Sequence, residues 1–294
     1  MPFYIERRTL HQVQTFAYGA AMPSLSLSGQ TTVVTGASSG IGVAFAHELA
    51  RRGSHLVLVA RRQDRLDALS AQLRSAHGIQ ATPIALDLSR PGAGRTLATE
   101  LSTRGIEATG LVNNAGFGTD GAFHHENPDQ LTDMINVDVA NLVDLTRAFI
   151  EPLRRAGTGI LVNVASMAAY APSPDMATYA ACKAFVLHFT EALWYESRGT
   201  GLRVLCLSPG LTRTEFFDDL AGGAYNGQYQ TPEQVVATAM RALERNRPSV
   251  QSGRRNAFTV NLPRLFTRRA TVLVSGSVSA RSRNTAHSGT AVQS

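Results

Sequence analysis

Thr31-Thr32-Val33-Val34-Thr35-Gly36-Ala37-Ser38-Ser39-Gly40-Ile41-Gly42 carries a short β-branched run directly into three glycines. β-Branched side chains suit a pleated, buried strand. Glycines permit a tight turn and a close approach of backbone to a ligand, and a helix opening behind them offers unpaired N–H groups to a phosphate. The stretch therefore reads as strand, anion-binding turn and helix. The letters Gly36-Ala37-Ser38-Ser39-Gly40 also satisfy GxSxG, the nucleophile elbow of serine hydrolases, which would need His188 and Asp144 as partners of Ser38. Such an elbow normally follows several strands, whereas this one follows the first.

Outward from that stretch, apolar runs rich in Val, Ile and Leu recur at 55–60, 83–86, 111–112, 159–165 and 202–207, bounded by Gly, Asn, Ser or Pro. Helix-period stretches at 42–52, 63–76, 129–155, 176–198 and 232–245 lie between or after them. This alternation implies an α/β Rossmann-type, doubly wound parallel sheet whose ligands bind beyond the carboxyl ends of the strands. The 294 residues divide as an N-terminal extension (1–27), expected to be partly disordered, a dehydrogenase-like domain (28–253), a small helical and basic segment (254–274) and a disordered tail (275–294). Met22, just ahead of the first strand, is a candidate start. The tail is rich in Ser, Thr, Ala and Arg and has too few large apolar groups to order itself.

Charge narrows the function classes. The formal net charge is +6, but from Arg241 onward there are ten Arg against one Glu, so the part before is net acidic and offers no basic nucleic-acid platform. Residues 261–274 mix Leu262, Leu265, Phe266, Val272 and Leu273 with Arg264, Arg268 and Arg269, which leaves open a weak contact with a membrane surface or a cap on the domain itself. The two cysteines, Cys182 and Cys206, stand in no metal-binding spacing, so no metal is expected, and a cytoplasmic setting fits. Of 28 basic residues only Lys183 is lysine. A chain so biased toward guanidinium has kept one compact ammonium whose pKa a site can tune.

Further motifs follow the strands. Val59-Ala60-Arg61-Arg62 closes the second, about 20 residues past the glycines, where an acid would bind the ribose hydroxyls of NAD; Arg61 and Arg62 suit the 2′-phosphate of NADP(H) instead. Asp87 follows the third run, Asn113-Asn114-Ala115-Gly116 the fourth, Ser166 the fifth, and Pro209-Gly210-Leu211-Thr212 the sixth. Tyr179 and Lys183, four apart on a helix, share one face.

Taken together, Gly36, Gly40 and Gly42 in the TGxxxGxG spacing, the NNAG stretch, Ser166 and Tyr179-Ala180-Ala181-Cys182-Lys183 resemble the short-chain dehydrogenase/reductase family over roughly 28–250. The resemblance implies that NADP(H), in preference to NAD(H), is held by Gly36, Ser38, Ser39, Gly40, Ile41, Gly42, Arg61, Arg62, Asp87, Asn113, Ala115, Gly116, Tyr179, Lys183, Pro209, Gly210 and Thr212. It implies that Tyr179 exchanges the proton with a carbonyl or secondary alcohol, with Ser166, Lys183 and Asn136 supporting it. Lys183 and the oxidised nicotinamide are expected to lower the Tyr179 pKa. Phe117, Met167, Tyr170, Leu211, Phe216 and Phe217 suggest a hydrophobic substrate, and the long helices could pair in a homodimer or homotetramer. A non-enzymatic cofactor sensor would share the glycine turn without needing Ser166, Tyr179 and Lys183.

Overall fold

The computed structural model describes residues 24–217, 228–253, 256, 260 and 266–277. The apolar runs pair into one seven-stranded parallel sheet of order β3-β2-β1-β4-β5-β6-β7. Its strands are β1 (Thr31–Thr35), β2 (His55–Ala60), β3 (Ala81–Ala85), β4 (Gly110–Asn113), β5 (Ile160–Val164), β6 (Arg203–Ser208) and β7 (Ser249–Gln251). Successive side chains leave a strand on opposite faces, so each doubly apolar strand feeds two cores. Val34, Leu58, Val162 and Leu205 pack against α1 (Gly40–Arg51), α2 (Gln63–His77) and α7 (Pro232–Glu244). Their neighbours Val33, Val57, Leu161 and Val204 pack against α3 (Ala93–Thr103), α5 (Asn141–Ala156) and α6 (Ala177–Glu196). The result is three layers, helices on both faces of the sheet. β1 is paired with β2 in the register Val33↔Val57 and with β4 in the register Val33↔Leu111. Strand order reverses there, which opens a crevice beyond the carboxyl ends of β1 and β4.

Three elements differ from the sequence reading for identifiable reasons. β3 begins at Ala81, two residues before Pro83. Proline is tolerated inside it because β3 is an edge strand, where a missing donor need not break a ladder. α3 was not expected, since its sequence carries three Thr and one Gly and its N-cap Gly92 supplies no side-chain cap. The caps come instead from α5: Asn141 Oδ1 accepts from the Ala93 amide at 3.0 Å and Asp144 Oδ2 from the Arg95 amide at 3.0 Å. The single helix expected over 129–155 is α4 (Pro128–Ile135) and α5 joined by a π-helical turn, Asn136–Ala140.

At the ends, Leu27 is already buried in the core, so packing begins inside the stretch assigned to the N-terminal extension. A helix spans 268–277, which corrects the expected disordered tail at 275–277. The rest of that expectation, and the expectations for 1–23 including Met22, lie outside the described residues. Among the described residues no helix is long and apolar enough to cross a membrane.

Asn141 also donates from Nδ2 to Leu88 O (2.7 Å) and Arg90 O (2.9 Å), and it is 1% exposed. Asn141→Ala leaves several buried backbone groups unpaired. It is expected to lower unfolding free energy by at least about 2 kcal/mol, read as a fall in the urea midpoint; an unchanged midpoint would refute the capping role.

Candidate active site

The glycine turn leaves β1 with Gly36 at φ +65° and re-enters helix at Gly40 with φ +52°, both in the left-handed region that favours glycine. A Cβ on Gly42 would lie 2.1 Å from Gly36 O, so this turn closes only without side chains. Thr35 and Asn114 hold it to the end of β4: Thr35 Oγ1 accepts from the Asn114 and Ala115 amides at 2.9 and 3.0 Å, and Asn114 Nδ2 donates to Thr35 O at 2.9 Å. The N-cap of α1, Ser39, makes no side-chain cap, and the first turn holds no acid. Its amides are thus left to an anion from outside, which fits the pyrophosphate of a dinucleotide. At the end of β2, Arg62 reaches back so that its Nε and Nη2 donate to Ser38 Oγ at 3.1 and 2.9 Å. Arg61 is exposed, and Asp87 accepts from the Ser89 amide at 3.0 Å in a local turn. The donors present fit a dinucleotide with a phosphate near Arg62.

At the carboxyl end of β5, Ser166 has extended backbone (φ −162°) and its Oγ accepts from the Ala168 amide at 3.2 Å. The adjoining Met167 amide donates to Pro209 O at 3.0 Å, tying the serine turn to the Pro209-Gly210 turn beyond β6. Thr212, 2% exposed, donates to Gly210 O at 2.9 Å. α6 carries Tyr179 and Lys183 into the same space, 7% and 5% exposed. The Lys183 Nζ lies 5.6 Å from the Tyr179 ring centre and donates to Val164 O at 3.3 Å.

The charge partner of Lys183 is a residue the sequence reading missed. Asp138, in the π-helical turn, is 1% exposed and places Oδ2 3.1 Å from Lys183 Nζ. The contact is an ion pair rather than a well-aligned hydrogen bond. Gly116 makes room for it, since a Cβ there would meet Asp138 Oδ1 at 2.7 Å and Lys183 Nζ at 2.9 Å. A π turn inserts one extra residue per turn and so rotates side chains relative to an α-helix. It turns Asp138 toward the lysine, while Asn136, expected to support a water linked to Lys183, lines a surface hollow with Pro91, Gly92 and Arg95. An acid within a helical pattern read from periodicity gave no signal; its spacing to the NNAG stretch carries none either.

Burial outweighs Lys183, which lowers the Tyr179 pKa in the expected direction. Burial pushes the Tyr179 phenol above its ordinary value, and although Lys183 and Ser166 pull it down, Asp138 raises it further. Burial likewise raises Asp138, against the pull of the Lys183 charge beside it. Lys183 is raised: burial opposes its charge, but Asp138 and then Tyr179 outweigh it, so the ammonium stays protonated. The phenol is thus neutral near pH 7 and the lysine is charged.

Two further expectations are corrected by geometry. The Asn113 side chain points into the protein, donating to Thr146 Oγ1 at 3.1 Å and Asn163 Oδ1 at 2.9 Å, which leaves only its backbone for a cofactor. The hydrolase alternative fails because Ser38 Oγ is held by Arg62, Asp144 is paired with Arg95 at 2.7 Å, and His188 stands exposed on α6. Among the described residues no cluster could hold a metal ion. Burial pushes the thiols of Cys182 and Cys206 up to about 11 and about 12, which makes them inert core groups. Of the apolar set, Phe216 packs on Tyr179 with ring centres 5.6 Å apart, and Met167 Sδ lies near Gly210. Tyr170 instead turns its hydroxyl to Gln251, whose Nε2 donates at 2.5 Å. The Phe217 side chain lies outside the described residues.

A doubly wound sheet with an uncapped glycine turn and a buried Tyr-Lys pair at the adjoining strand ends defines a dinucleotide-dependent oxidoreductase. The chain belongs to the short-chain dehydrogenase/reductase family: the family model described as short chain dehydrogenase matches residues 30–222. It is similar to a 7beta-hydroxysteroid dehydrogenase of Collinsella aerofaciens, 30% identical over 79% of this chain and 89% of that one. It is 33% identical to a mouse very-long-chain 3-oxoacyl-CoA reductase over 64% of this chain but spans only 61% of that protein's length. A solved short-chain dehydrogenase from Sphingobium yanoikuyae in complex with NADPH matches with a TM-score of 0.70 and 33% identity, over 76% of this chain and 87% of that one. The chain is therefore an NAD(P)-dependent oxidoreductase of carbonyl and alcohol substrates.

Asp138→Asn removes the negative charge that raises Tyr179 while keeping the shape. The alkaline limb of kcat/KM for carbonyl reduction is expected to move to lower pH by about one unit. A limb that stays in place, with thermal stability unchanged, would separate Asp138 from the phenol's titration.

Proposed function

We propose that this chain is an NADP(H)-preferring carbonyl reductase and secondary-alcohol dehydrogenase for hydrophobic substrates. The observation that carries the reading is the buried Tyr179 phenol beside an ammonium that Asp138 keeps charged, at the strand ends next to the glycine turn. When bound, the nicotinamide cofactor supplies or accepts the hydride. As negative charge grows on a carbonyl oxygen it must be neutralised where it forms. Tyr179 gives up its proton there, and Ser166 donates a hydrogen bond to the same oxygen. Lys183 stabilises the phenolate left behind, and Asp138 positions Lys183. Burial keeps the Tyr179 phenol protonated, so the proton is there to be given, while Lys183 pulls against that shift and eases its release.

NADP(H) preference is supported by Arg61 and Arg62 at the end of β2, where no acid stands, and by the NADPH-bound Sphingobium structure. Phe216 and Met167 at the site support an apolar substrate. A homodimer or homotetramer through α5 and α6 is supported by Phe185, 41% exposed and stacked on Phe189, and by Tyr195, 65% exposed. A cytoplasmic setting is supported by the two buried, free thiols. Weak membrane-surface contact is supported by Val272, Leu273 and Val274, exposed on the helix at 268–277 beside Arg268 and Arg269.

With NADPH and a panel of aryl and aliphatic ketones, Tyr179→Phe is expected to lower kcat by about a thousandfold, with NADPH affinity held within a few-fold. Alcohol oxidation by the wild-type chain should rise with pH into the alkaline range while reduction stays level through neutrality. Full turnover in the Phe variant, or activity confined to small charged substrates, would reject the mechanism or the substrate class respectively.

A further inference from the structure

The carboxylate of Glu215 sits where a phosphate would be expected. It opens the 3-10 turn Glu215–Phe217 beyond β6, yet its contacts are with the start of α2. Arg62 Nη1 donates to Glu215 Oε2 at 2.8 Å and Arg65 Nη1 to Oε1 at 2.6 Å. The opposite edge of the Arg62 guanidinium is the one that holds Ser38 Oγ, and Arg65 also reaches Ser38 O at 3.5 Å. Two guanidinium groups and a serine of the glycine turn thus converge on one spot beyond β2, with a carboxylate as their anion. The neighbouring Thr214 covers the same turn, for a Cβ on Gly40 would meet Thr214 Cγ2 at 2.7 Å.

We propose that Glu215 is an internal competitor for the 2′-phosphate of NADP(H): the phosphate takes over Arg62 and Arg65 and drives the carboxylate out into solvent. The proposal rests on the NADP(H) reading above. Phosphate is the stronger partner of the planar arginine fork, carrying more charge and more acceptor oxygens than a carboxylate. Both anions cannot share the two arginines, because like charges at contact distance repel. Glu215 does not escape by taking a proton, since Arg62 and Arg65 hold its carboxyl below the usual range. It is 46% exposed at the side chain, so it can leave by rotating outward. NADH has no 2′-phosphate and leaves the Glu215 contacts in place. Glu215 therefore sets how far the site favours one cofactor over the other, and its departure loosens the segment whose Phe216 leans on Tyr179.

The test is fluorescence titration of the full chain with NADPH and with NADH, for the wild type, Glu215→Gln, Arg62→Gln and the double variant. Exposed ion pairs are individually weak, so Glu215→Gln is expected to tighten NADPH by about three- to tenfold and to leave NADH within twofold. In the Arg62→Gln background the same change should give little or no gain. Equal NADPH affinity in wild type and Glu215→Gln overturns the proposal, as does weaker NADPH binding, which would mean that Glu215 steadies the arginines for the phosphate. A similar gain for both cofactors also overturns it, because that is the signature of long-range charge. Wild-type chain that binds NADH as tightly as NADPH removes the underlying cofactor reading, an outcome visible before any variant is measured.

Discussion

Lys183 faces Asp138 at 3.1 Å with both side chains withdrawn from water, and the shape of the surrounding site follows from that contact. Burying two charges costs several kcal/mol each, about what a well-placed partner returns, so the pair tolerates little misplacement. Its surroundings meet that demand from four directions. α6 sets the lysine one turn below the tyrosine, Val164 O at the end of β5 receives its ammonium, the π turn aims the aspartate, and Gly116 stands aside. A guanidinium could not take this place without displacing Asp138 or the β5 carbonyl. That gives a physical reason why a chain otherwise built with arginine has an ammonium here.

The parts of the fold legible in the sequence are those fixed by local pattern. Doubly apolar strands, the bare glycine turn and the four-residue spacing of Tyr179 and Lys183 all depend on contacts within a few residues or on repeating periods. What was missed depends on tertiary partners. α3 lacks a cap of its own and borrows two from α5; β7 is three residues at the edge of the sheet; Pro83 suits a strand only because that strand has one neighbour. Asp138 is the instructive case. Periodicity treats 129–155 as one α-helix, and in that frame Asp138 is not marked. A π turn shifts the frame; it packs against α6 and, through Asp138, against Gly116 of the NNAG stretch.

The segment after β6 links two ends of the cleft that the sequence presents as separate motifs. Thr214 covers the glycine turn, Glu215 reaches the arginines beyond β2, and Phe216 packs on the reactive tyrosine. Three consecutive residues thus join the glycine turn, the arginines beyond β2 and the buried tyrosine.

The solitary lysine has a practical corollary. Reagents that acylate or reductively methylate ε-amines usually decorate a protein surface at many places, but this side chain is 5% exposed and has no lysine counterpart elsewhere in the 294 residues. Side-chain amine modification therefore reads a single buried atom, whose reactivity reports both its exposure and the hold of Asp138 on its proton.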